Sequence, residues 1–152
     1  MTEKSDIELA SAAAPFDFAD IDLEREADVP TEMQVLYPRP DKTSGKGFGA
    51  PTGITFRVLG DESPTFRRNL REMIDDVARN IHEQPKEPDA VDKLSRARTA
   101  ACAIVGWSDN VILDGEKLSF TRDNAVRLMW ERPWVARQVE NFRTNAGNFA
   151  PR

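Results

Sequence analysis

Histidine and cysteine are nearly missing from this chain, which has one of each, His82 and Cys102. A lone cysteine excludes an internal disulfide framework and any site built from clustered thiolates. A lone histidine leaves no inventory for a His-rich metal site, and His82 reads as a satisfied or solvent-facing residue at a fraying helix end. Long apolar runs are missing too, and none approaches the length that crosses a bilayer. Met1–Ala10 has neither a basic region nor an apolar stretch, so no signal peptide is expected and the cytoplasm is the expected location. Gly45-Lys46-Gly47 invites the thought of a phosphate loop, but no Gly-Lys-Ser/Thr step follows it. Dinucleotide fingerprints, nucleophile elbows and metal-ligand spacings do not occur either. These absences lead to the expectation of a non-enzymatic protein with no catalytic, cofactor-binding or metal site.

Charge is what the chain has in plenty, and it is unevenly placed. Met1–Pro30 holds nine Asp/Glu against two Lys/Arg, while the remaining residues hold seventeen against nineteen. The first thirty residues therefore carry −7 and the rest +2. The former cannot bury enough apolar surface to offset the entropy of ordering, so an acidic disordered tail over 1–30 and a single domain over 31–152 are expected. Within the tail Phe16, Phe18, Ile21 and Leu23 alternate with Asp17, Asp20, Asp22 and Glu24. Two readings stand: a solvated leader, or a segment whose Phe16 and Phe18 anchor in a basic, apolar groove of a partner.

Periodicity gives the fold class. Met33, Val35 and Tyr37 alternate with polar residues, as do Ile54, Phe56 and Val58, which predicts a pair of half-buried strands. Arg39–Gly53 between them is rich in glycine and reads as a mobile or partner-contacting loop. Ser63-Pro64 then opens a helix with the stripe Phe66, Leu70, Met73, Ile74, Val77 and Ile81. A second helix is predicted from Ala90 to Val105, with small residues and Cys102 on its buried stripe and Gly106 ending it. Asp114-Gly115 between apolar-alternating runs predicts a tight hairpin pairing Leu113 with Glu116 and Val111 with Leu118. Thr121 caps a third helix and Pro133 opens a fourth, whose inward stripe is Val135, Val139 and Phe142. The expectation is an α+β domain: a small N-terminal strand pair, four helices, and a β-hairpin between helices two and three.

The C-terminal third carries a resemblance. Val105-Gly106-Trp107, the Asp114-Gly115 hairpin, F-T-x-D-N-A at Phe120–Ala125, P-W-V-x-x-Q-V-x-x-F at Pro133–Phe142 and a closing Asn148-Phe149 resemble the tail assembly chaperones of long-tailed bacteriophages and related prophages. Leu59–Pro64 is similar to that family's G-x-D-S-P step, with Glu62 intervening before the serine, and the match runs from Met33 to Phe149. The resemblance implies a protein that binds the tape-measure protein and tail-tube subunits in the host cytoplasm and is left out of the mature virion. All three tryptophans lie in this region. Trp134, at the start of its helix, and Phe149, beyond the helix end, are the expected contact residues, with Trp107 expected in the core. The alternative is a regulatory or adaptor module contacting nucleic acid or another protein through Arg67, Arg68, Arg71, Arg96 and Arg98, although acids interleaved with these arginines disfavour a nucleic-acid partner.

Overall fold

The computed structural model describes residues 14–151, in which five helices combine with five strands in two small sheets. Strands β1 (Thr31–Leu36) and β2 (Pro51–Val58) pair antiparallel, with Met33 opposite Phe56. Alternation puts Met33, Val35, Phe56 and Val58 on the buried face, and Glu32, Gln34 and Arg57 on the solvent face. The connection between the strands is turned on itself. Tyr37 N donates to Ala50 O at 2.9 Å, and the Asp41 carboxylate accepts from the Ser44 amide at 3.3 Å.

Helix α2 (Pro64–Arg79) begins where Ser63 Oγ accepts from the Phe66 amide at 3.1 Å. Its apolar stripe is less covered than its length predicts. Phe66 is buried and Leu70, Met73 and Val77 are half-buried, while Ile74 and Ile81 are exposed. The covering helix α3 (Pro88–Ala103) explains this, because its buried residues lie at its far end: Ala97, Ala100, Ala101, Cys102 and Ala103. Small side chains there let α2, α4 (Arg122–Glu131) and α5 (Pro133–Arg143) all approach one helix. Cys102 is fully buried, and burial pushes its thiol up, away from the reactive thiolate.

Three expectations are corrected. The helix ending at Ala103 is followed by a strand, β3 (Ile104–Trp107), which extends the sheet to the order β1-β2-β3. Gly106 is therefore no helix terminator. It lies under the Arg57 side chain of β2, where a Cβ would collide with the guanidinium. Secondly, the four expected helices gain a fifth, α1 (Leu23–Ala27), inside the stretch expected to be an acidic tail. Ala27 is buried, its carbonyl accepts from the Gly60 amide at 2.9 Å, and Asp28 bonds to the start of α2. Residues 22–30 thus belong to the domain, and the boundary at Pro30 lies too far along the chain; residues 1–13 of that expected tail lie outside the described residues.

The third correction is Phe149, expected at the surface and found buried at 6% exposure. Asn145 caps the terminal 3-10 turn Ala146–Phe149, and Asn148 Nδ2 donates back to Phe142 O at 2.9 Å. The chain end folds back so that Phe149 meets Phe142 edge-on, with ring centroids 5.5 Å apart, and touches the Gly60 turn beside Ala27.

The hairpin is as expected. β4 (Ile112–Leu113) pairs with β5 (Glu116–Lys117) through Leu113 opposite Glu116, and Leu118 N donates to Val111 O at 2.9 Å. Asp114 and Gly115 take φ of 52° and 80°, the left-handed pair that a two-residue turn of this hand requires. Val111, Leu113 and Leu118 are buried, and Ile112 and Lys117 face solvent. Trp107 lies at the edge of the core, half-buried between Phe56 and Phe120, and its Nε1 donates to Leu118 O at 3.0 Å.

Candidate functional site

Arg132 leaves the helical conformation, with φ of −132° and ψ of 76°, so α4 stops and Pro133 starts α5 in a new direction. Val135, two residues after Pro133, points inward and is buried. Trp134 precedes it and is turned about 100° around the helix, which leaves the indole half-buried at the surface. The indole stands between two hollows. One, of about 340 Å³, is floored by Val35, Ile54 and Phe56 of the sheet and walled by Val111, Ile112 and Leu113 of the hairpin. Leu128, Trp134 and Val135 close its third side. The other, of about 250 Å³, lies between Trp134 and the start of the long loop at Tyr37, Pro38 and Arg39.

Apolar surface dominates this groove. Ile112 on its rim is 66% exposed, and the polar groups that line it include Thr52, Asn110 and the pair Asp114 and Arg132, 3.5 Å apart on the solvent side. An exposed pair of this kind adds little energy but fixes a polar border around the apolar floor. Chemically the site is suited to burying an apolar side chain of a binding partner, each one worth about 1.5–3 kcal/mol.

The chain matches no protein-family model, no curated protein and no solved structure.

The other expected site residues are placed apart from this groove. Phe16 and Phe18 are 61% and 85% exposed and meet edge-on at 5.0 Å, with Asp17 between them capping the turn Phe18–Asp20. They line neither hollow at Trp134. Phe149 is buried beside α1 and lines neither hollow at Trp134. Among the arginines, Arg67 pairs with Glu62 at 2.8 Å, Arg96 with Asp92 at 3.3 Å, and Arg98 donates to Gln84 at 2.7 Å.

Two residues of the frame escaped sequence reasoning. Arg122, inside the F-T-x-D-N-A step, donates to Ala101 O and, at 3.2 Å, to Ile104 O, closing the end of α3. Gln138, inside the P-W-V-x-x-Q step, binds both backbone groups of Leu36. Each acts over a large sequence separation, which no local pattern announces.

Proposed function

We propose that this chain is a non-enzymatic tail assembly chaperone of the long-tailed phage type, and that the groove beside Trp134 holds an apolar segment of the tape-measure protein or of the tail-tube subunit. One observation carries the reading. Two short motifs behind the family resemblance, the Asp114-Gly115 hairpin and the Pro133-Trp134-Val135 helix start, lie some twenty residues apart and line the same hollow. A conventional core needs no such opening. A chaperone that must release its client needs a small apolar site, because modest buried area gives binding that can be undone. The place of action on this reading is the host cytoplasm during tail building, with the protein absent from the finished particle.

Co-expression of the tagged chain with the tape-measure and tube proteins of the same genome tests the proposal. Co-purification of either one through a surface that includes Trp134 is the expected result. Failure of both to co-purify with the intact chain overturns the chaperone reading.

A further inference from the structure

The outer edge of β1 is unpaired where it runs through a cleft. Thr55 spends its backbone groups on Ser108, donating to Ser108 Oγ at 3.1 Å and accepting from Ser108 N at 2.9 Å. Its β1 partner Gln34 therefore faces away from β2. Tyr37 confirms the alternation, because it faces β2 through Ala50 and Gly49. The N–H and C=O groups of Glu32, Gln34 and Leu36 thus all point to the open side. Leu36 is satisfied there by Gln138, whose Oε1 accepts from Leu36 N and whose Nε2 donates to Leu36 O, both at 2.9 Å. That carboxamide occupies one rung of the place a further strand would take. Glu32 and Gln34 have no hydrogen-bond partner on this edge among the described residues.

Both residues line a cleft of about 920 Å³. Asp20, Asp22, Arg25, Glu26 and Val29 form one wall, and Asn148–Pro151 the other. Strand and sheet spacings give an added residue about 160 Å³, so the cleft admits an extended segment of about five residues. Among the described residues, its near wall and floor carry Asp20, Asp22, Glu26 and Glu32 against one cation, Arg25.

We propose that β1 takes up a basic, extended segment of a partner protein as an additional strand in this cleft. Main-chain bonds to Glu32 and Gln34 supply its register, and alternate lysine or arginine side chains meet the acidic wall. Charge selects this occupant over two others. A second copy of this chain would bring the same four acids to the edge, and residues 1–13 of the chain carry Glu3, Asp6 and Glu8 against Lys4. The site is separate from the groove at Trp134 and does not depend on the identity of the groove's client.

Titration of the full-length, isotope-labelled protein with a blocked seven-residue peptide of alternating valine and lysine tests this, read by amide hydrogen exchange. Exchange at the Glu32 and Gln34 amides is expected to slow by about tenfold or more at saturation, since only an added strand protects them. The same peptide with glutamate in place of lysine is expected to bind at least about fivefold more weakly. Glu32→Lys changes an exposed side chain and is expected to weaken the lysine peptide by a similar factor. Gln34→Pro removes the outward donor without touching the β2 ladder, and is expected to abolish protection. Trp134→Ala is expected to leave all of these readings unchanged. Binding without protection of Glu32 and Gln34, equal binding of the acidic peptide, or no binding at all each overturns the proposal. Should Gln34→Pro fail to fold, the exchange pattern and Glu32→Lys still decide it.

Discussion

Ser63 Oγ donates to Asp28 Oδ1 at 2.6 Å, and the same carboxylate oxygen accepts from the Thr65 amide at 3.1 Å. Ser63 is fully buried and its hydroxyl also accepts from Phe66 N. The start of α2 therefore has a double cap, one half of it supplied from before β1. This places residues 22–30 among the stabilising parts of the domain.

Asp28→Ala is expected to cost about 1–2 kcal/mol, the loss of a cap and of a bond to a charged group. Removal of residues 1–30 is expected to cost at least as much. Chemical denaturation measures both, and unchanged midpoints would show that the cap is decorative.

The same carboxylate sets an acid dependence. Hydrogen bonds from Ser63 and then Thr65 hold the Asp28 carboxyl below its ordinary 3.8. Its stabilising contribution is therefore complete above about 3.8 and is lost as pH falls through the lower folded value. In Asp28→Ala that part of the acid limb disappears, so the two proteins are expected to converge in stability at low pH. A constant difference down to the acid end contradicts this.

Gly60 sits against Ala27 so closely that a Cβ would lie 2.7 Å from the Ala27 Cβ and 3.1 Å from a Phe149 ring carbon. Gly60→Ala is expected to destabilise by about 1–3 kcal/mol through overpacking. Adding Ala27→Gly removes the opposing methyl and is expected to recover part of that loss, a coupling that a double-mutant cycle reads directly. Simple additivity would place the strain elsewhere.

What the sequence made legible follows from how local the physics is. The hairpin could be read to the residue because Asp114 and Gly115 alone satisfy the backbone signs of a two-residue turn. The Ser63 cap and the β1–β2 pairing were legible for the same reason. α1 was not, because a single alanine and three long-range hydrogen bonds hold it, and its composition is that of a solvated leader. Ile104–Trp107 continues an apolar helical stripe, so only sheet pairing reveals it as a strand. At the candidate site, the half-buried position of Trp134 at the helix start was legible from its place beside Pro133. The hollow it borders was not, because β1, β2, the hairpin, α4 and α5 come together from across the sequence to build it. Phe149 was misplaced because burial of a terminal aromatic depends on the Asn148–Phe142 return, which has no periodic signature.

Gly115→Ala places a side chain at φ of 80° and is expected to cost about 1 kcal/mol, whereas Asp114→Asn keeps a residue that tolerates φ of 52° and is expected to be nearly neutral. Thermal unfolding of both variants checks this. Equal losses would mean that the Asp114 carboxylate and not the backbone governs the turn.

Trp134 and Trp107 are both half-buried, but their surroundings predict opposite consequences of removal. Trp107 is held by Phe56 and Phe120 at ring distances of 5.7 and 5.1 Å and by its bond to Leu118 O, so it ties sheet to hairpin. Trp107→Ala is expected to destabilise by about 3 kcal/mol, the lower end for a large aromatic, because the ring is not wholly enclosed. The Trp134 indole borders two hollows. Its truncation widens space that is already open, so a smaller loss of about 1–2 kcal/mol is expected and the domain stays folded. On binding the order reverses. An aromatic anchor of this kind is worth about 2 kcal/mol at a contact surface, which is about thirtyfold in affinity for the co-purified tail protein. Trp134→Phe, which keeps the ring and loses part of its area, is expected to fall between. Circular dichroism together with quantitative pull-down separates the two residues. If Trp134→Ala unfolds the chain while Trp107→Ala only weakens capture, the hollow at Trp134 is a packing defect and the contact surface lies at Trp107.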